Sequence, residues 1–156
     1  MSALPARPPG VSCAVSRSLA VLGERWTLLI VRDALSGVTT FEAFRESLGL
    51  GADVLTERLA TLVDYGVLEK RSYQQAGART RHEYHLTDAG RQLHVIVGGL
   101  QMWGDAHLPW PSGPSTERLD RRTGEPVRVA FVDRDGRQLP DERIDVVHHG
   151  GYPSRT

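Results

Sequence analysis

The sequence predicts a mainly α chain with a small β component. Three observations carry this. Apolar residues recur at helical spacing in five segments, one pair of strand-like runs flanks a Gln-Ala-Gly-Ala tip, and strict alternation returns only after residue 117.

Residues 1–11 are proline-rich and lack the apolar centre of a signal peptide, so a disordered N-terminus is expected. Val15, Leu19 and Leu22 then fall at i, i+4 and i+7, a helical stripe that Gly23 interrupts. Trp26, Leu29, Ile30 and the residues up to Leu35 continue as a second helix, stopped by Ser36-Gly37. Thr39 and Glu42 have capping-box spacing at the start of a short third helix, residues 41–48, with Phe41, Phe44 and Leu48 on one face. Leu48-Gly49-Leu50-Gly51 reads as a turn. Leu55, Leu59, Leu62 and Val63 give a fourth helix from Ala52 to Tyr65-Gly66.

Residues 67–73 and 82–86 read as two strands joined by the tip. Thr87 is placed to cap a longer fifth helix with the face Leu93, Ile96, Val97, Leu100 and Trp103. Gly98 and Gly99 weaken that helix and mark close packing against a neighbour. The Pro-Trp-Pro-Ser-Gly-Pro-Ser run makes residues 109–116 a linker, which ends a domain spanning 12–108. Beyond it Val127, Val129 and Phe131 alternate before Asp133-Arg134-Asp135-Gly136, and residues 137–139 and 143–147 are expected to pair back. Residues 117–156 therefore read as a small β-rich extension, short for independent stability.

Composition narrows the function classes. At 156 residues, 40% hydrophobic and 24% charged, the chain can bury a core without staples. The single Cys13 excludes an internal disulfide and a multi-cysteine metal site. No run approaches a membrane-spanning length, so a cytoplasmic protein without membrane contact is expected. Lys+Arg and Asp+Glu both number 19, and the balance holds on either side of residue 112, so bulk charge does not announce nucleic acid. No glycine-rich phosphate loop, Ser/His/Asp arrangement or HExxH helix supports catalysis, and no cofactor is implied. His82 and His85, three apart on a strand, point to opposite faces and do not share a metal.

The order helix, helix, short helix, turn, helix, ribbon, helix is that of a winged helix-turn-helix with a C-terminal β appendage. Such a module lays its second helix in the major groove and its wing along the backbone. The fourth helix would be the reader. Off its Leu stripe lie Asp53, Thr56, Glu57, Arg58 and Thr61. Thr56 can bond a phosphate or base edge, and Arg58 can fork to guanine or phosphate. Thr39 precedes the positioning helix, and Arg71, Arg79 and Arg81 cluster on the wing. Asp53 suits a helix N-terminus but repels phosphate. A winged helix that binds another protein, without specific DNA binding, is the alternative reading.

Leu22-Gly23-Glu24-Arg25-Trp26-Thr27-Leu28-Leu29-Ile30, Phe41-Glu42-Ala43-Phe44, Leu55-Thr56-Glu57-Arg58-Leu59, Gly66-Val67-Leu68-Glu69-Lys70-Arg71, Tyr84-His85-Leu86-Thr87-Asp88-Ala89-Gly90 and Trp103-Gly104 occur in that order. In sequence and spacing they resemble the HxlR-type bacterial transcription regulators, relatives of the MarR group. The resemblance implies a cytoplasmic homodimer on a partly palindromic double-stranded DNA operator, with the first and fifth helices forming the interface through Val15, Leu19, Ile96, Leu100 and Trp103. Several such regulators sense oxidants or electrophiles through a cysteine before the first helix, where Cys13 stands. A helix N-terminus and nearby Arg17 favour a thiolate there. The other reading of Cys13 is a small, inert residue at the base of that helix. A small-molecule effector is a further partner open to such a dimer. The resemblance stops before the extension.

Overall fold

A computed structural model describes residues 12–73 and 81–149. The expected disordered N-terminus, residues 1–11, lies outside the described residues. Among these, no helix is long and apolar enough to cross a membrane. The chain forms two compact units that divide between His94 and Val95.

The first unit contains α1 (Ala14–Leu22), α2 (Arg25–Leu35), α3 (Phe41–Leu48), α4 (Ala52–Asp64), β1 (Leu68–Tyr73), β2 (Arg81–Leu86) and α5 (Asp88–Gln92). The central α2 packs against α1, α3, α4 and β2. Ile30 and Val31 of α2, Phe44 of α3, Leu55, Leu59 and Leu62 of α4, and Leu68 of β1 are fully or almost fully buried. Each such side chain contributes about 1.5–3 kcal/mol by leaving water, which is why the apolar stripes set the packing. The turn between α3 and α4 depends on Gly49, whose φ of 64° disfavours a residue with a Cβ. Leu50, in the same turn, is buried.

A polar link ties α2 to α3. Asp33 is buried, and its carboxylate accepts from the Ser47 hydroxyl at 2.7 Å and from Arg32 Nε at 2.8 Å. The link joins these helices through one buried group, because removing the Ser47 hydroxyl would take a donor from a desolvated carboxylate.

β1 and β2 are antiparallel, with Leu68 opposite Leu86 and Tyr73 opposite Arg81. Thr40 adds a bridge to Glu83, and the Tyr84 N–H donates to the Thr39 carbonyl at 2.7 Å. This rung corrects the expected cap of α3. With the backbone of Thr39 held in the ribbon, Thr40 is the capping residue, its Oγ1 accepting from the Ala43 N–H at 3.3 Å.

Thr87 caps as expected, accepting from the Gly90 N–H at 3.1 Å. The long fifth helix is a second correction, because the chain breaks at Leu93, whose N–H donates to the Gly90 carbonyl. A docking contact pins this first turn. The Thr87 hydroxyl reaches the Gly66 and Val67 carbonyls, and a Cβ on Gly90 would stand 2.1 Å from the Val67 oxygen. The short turn follows that surface, and α6 starts afresh.

The second unit begins within α6 (His94–His107). Its boundary lies upstream of residues 109–116 because the appended chain packs on α6 itself. A Cβ on Gly98 would stand 2.9 Å from Val129 Cγ2, so this glycine marks the expected close approach. The Val129 N–H also donates to Met102 Sδ at 3.1 Å. As a result α6 is apolar on two sides. Val97 and Gly98 are buried, whereas Ile96, Leu100 and Trp103, expected on the same face as Val97, are exposed.

The alternating residues beyond the linker form two short turns rather than full strands. One closes through Val127 N–H to the Arg118 carbonyl and a Leu119–Pro126 bridge. The other closes through Leu139 N–H to the Phe131 carbonyl and a Val132–Gln138 bridge. Residues 143–147, expected to pair back, leave a 3-10 turn, Asp141–Arg143, and join no ladder among the described residues.

Candidate nucleic-acid interface

The surface suited to a DNA groove is the outer side of α4. Burying Leu55, Leu59 and Leu62 turns Asp53, Thr56, Glu57 and Ala60 to solvent, at the i, i+3, i+4 and i+7 spacing of one helical stripe. The Thr56 hydroxyl donates to the Ala52 carbonyl at 2.8 Å. Its lone pairs remain available to accept from a base amino group, and rotation frees its proton for a phosphate. Thr61 is half-buried and donates to the Glu57 carbonyl at 3.0 Å.

Arg58 is held differently from an outstretched groove reader. Its side chain is only 20% exposed, its Nη2 lies 3.5 Å from Glu57 Oε1, and its Nε is buried without a hydrogen-bond partner. A fork to guanine requires it to unfold from this position. Asp53, Glu57 and Asp64 make the exposed side of α4 acidic in the unbound chain.

Alternation along the wing strands places Glu69, Arg71, Glu83 and His85 on one face. Arg71 pairs with Glu69 and stands opposite Glu83 in the ladder. His85 Nε2 lies 2.8 Å from Glu83 Oε2. The structure therefore commits one of the three expected wing cations to an internal pair. Arg81 is exposed, opposite Tyr73, with no ion-pair partner among the described residues. Arg79 lies outside the described residues. Ser72 Oγ is 3.2 Å from His82 Nδ1, so the two histidines have separate partners.

Cys13 is half-buried at the N-cap of α1 and makes no side-chain cap. The Arg17 guanidinium donates to the Ser12 carbonyl. The remaining site residues are apolar and exposed: Val15 and Leu19 on α1 at 67% and 56%, and Ile96, Leu100 and Trp103 on α6 at 45%, 53% and 58%. Within each helix these residues fall at helical spacing on one side, i and i+4 on α1 and i, i+4 and i+7 on α6.

Sequence reasoning missed Gly90 and the Asp33–Ser47 link as organisers of this surface. Gly90 had a local signal, a glycine in the first turn of a capped helix where propensity opposes it. Asp33 had none, since a carboxylate near the end of a helix ordinarily reads as solvated.

Residues 21–111 match the HxlR-like helix-turn-helix family model. The chain belongs to this family. An uncharacterized HTH-type transcriptional regulator of Mycobacterium tuberculosis, Rv3095, is 41% identical to this HxlR-like chain over 111 residues, 71% of the chain and 69% of the relative. The crystal structure of PA1607, a candidate transcription factor, aligns with a TM-score of 0.76 at 36% identity, covering 88% of this chain and 96% of PA1607. A match of that extent must run past residue 111, so the architecture shared with PA1607 includes part of the appended unit. HypR, a redox regulator in its oxidized form, aligns with a TM-score of 0.55 at 29% identity over 61% of this chain and 97% of its own. The HxlR-like chain is thus a transcriptional regulator of the winged-helix type, and its relatives are regulators rather than enzymes.

Proposed function

We propose that this regulator is a cytoplasmic protein that binds a specific double-stranded DNA operator as a homodimer, with α4 in the major groove and the wing on the backbone. The observation that carries the reading is the exposed outer stripe of α4 centred on Thr56, set on a buried Leu stripe beside the wing. In this reading Thr56, Arg58 and Thr61 work in the groove, Thr39 sits at the rim, and Arg71, Arg79 and Arg81 meet phosphate. Arg58 leaves Glu57 to do so. The exposed apolar residues of α1 and those of α6 each supply a self-association face on their own unit. Gel-shift titration against the upstream region of the gene tests the reading. Arg58→Ala should weaken specific more than random binding, whereas Arg81→Ala should weaken both and lower the salt slope by about one ion. No specific complex at moderate salt refutes it.

The same regulator responds to a signal, either a small molecule or an oxidant or electrophile. HypR's description as a redox regulator supports the second route, with Cys13 the residue that would carry it. A two-electron oxidant such as diamide would join two Cys13 thiols of a dimer, taking up their two electrons and both thiol protons to become its hydrazine. An electrophile would alkylate each thiol instead. Release of DNA from wild type but not from Cys13→Ser supports this, and equal release from both removes Cys13 as the sensor.

The acidic outer side of α4 favours a second reading, a winged helix that docks on another protein. A stable protein complex together with absent operator binding would select it.

A further inference from the structure

The first unit holds an open bowl of about 530 Å³ between the start of α3 and the end of the wing. This lies within the size range of small-molecule sites, roughly 300–1,000 Å³. Phe41, Tyr73 and Tyr84 line it, Tyr84 being buried and the other two half-buried. Such rings offer flat apolar area at little entropic cost. Arg81 lines it too.

The charges of the lining decide what fits. Glu42 is in the bowl but is held by Arg45, Nη2 to Oε2 at 3.0 Å. His82 is engaged with Ser72. Arg81 has no carboxylate partner among the described residues. Thr40 Oγ1 accepts from the Ala43 N–H, which leaves its own proton to donate. A planar ring with one carboxylate matches three aromatic residues, one guanidinium and one hydroxyl.

We infer that this bowl is a binding site for an aromatic monocarboxylate, with Arg81 holding the carboxylate and Tyr73 and Phe41 flanking the ring. The consequence for regulation rests on the operator reading above. Arg81 is the wing cation assigned there to phosphate, so a carboxylate on it competes with DNA, and the two affinities are reciprocally coupled.

Isothermal titration of the full chain, without DNA, uses 1-naphthoate as the probe. The expected result is saturable binding of one molecule per protomer, with a Kd of about 1 mM or tighter. Arg81→Gln and the neutral 1-naphthamide should each weaken it by about tenfold or more. Arg81→Lys should restore part of the loss, and Tyr73→Ala should weaken binding with the circular-dichroism spectrum unchanged. Absence of saturation, equal binding by Arg81→Gln, or tighter binding of 1-naphthylmethylamine overturns the site. A separate gel shift asks whether 1-naphthoate raises the wild-type Kd for DNA. Binding without that rise overturns the coupling. A chain that takes up naphthoate yet binds no operator refutes the operator reading and leaves the site standing.

Discussion

Replacing Gly90 by alanine sets two effects of known sign against each other. Helix propensity favours alanine by about 1 kcal/mol, since glycine loses more backbone freedom on folding. The new Cβ, however, would sit 2.1 Å from the Val67 carbonyl oxygen, where real Cβ atoms keep at least 3.0 Å, and 2.9 Å from Leu86 Cδ2. The first obstacle is backbone, so either α5 or the end of α4's connecting turn must move by 0.9 Å. That carbonyl also accepts from the Thr87 N–H at 3.1 Å and the Thr87 hydroxyl at 3.2 Å. Overpacking costs about 1–3 kcal/mol, and weakening these two bonds adds about 1 kcal/mol each. Net destabilisation of about 2–4 kcal/mol follows, a fall in Tm of about 5–15 °C for a chain of this size. Thermal and urea unfolding followed by circular dichroism measure it. An unchanged or raised Tm would show that propensity wins and that the approach to Val67 is not tight.

Three further outcomes are expected. Ser47→Ala should cost about 1–3 kcal/mol in urea unfolding, because the buried Asp33 carboxylate loses the hydroxyl that donates to it; a cost under about 0.5 kcal/mol would show that the α2–α3 link is dispensable. Leu100→Glu, on the exposed side of α6, should leave the fold intact but shift light-scattering mass to the monomer. A dimer that persists would remove this face from the interface. Burial raises the Tyr84 hydroxyl above its ordinary pKa of 10.0. A raised pKa gives stability that is complete below pH 10 and lost as pH rises through the folded-state value, so Tyr84→Phe should flatten the alkaline fall in Tm.

Most of the fold was legible because a small number of apolar stripes dictate it. Leu55, Leu59 and Leu62 could face only inward, and the bounds of α3 and α4 follow from Phe44 and that stripe. What was not legible depends on contacts between distant backbone segments. Thr39 and Thr40 are equally good caps by composition, and only the rung to Tyr84 and Glu83 chooses between them. The break at Leu93 comes from the fit of Gly90 to Val67, more than twenty residues away. The candidate interface divides in the same way. Thr56 was readable from helical phase, but the inward position of Arg58 and the pairing of Arg71 with Glu69 are choices among rotamers and partners, which periodicity does not rank. The bowl joins Phe41 to Tyr73 and Arg81, residues that only the ribbon register brings together.

The self-paired charges of the wing bear on how an operator would be found. A regulator with a broad basic surface lingers on any DNA and scans along it, at the cost of being held by the rest of the chromosome. Here Glu69 pairs with Arg71, which leaves Arg81 as a wing cation without an ion-pair partner among the described residues. Residence on unrelated sequence should therefore be brief, and the search should proceed by repeated encounters from solution rather than by sliding. Operator occupancy would then follow protein concentration closely. A cell could set the output of such a regulator by how much of it is made.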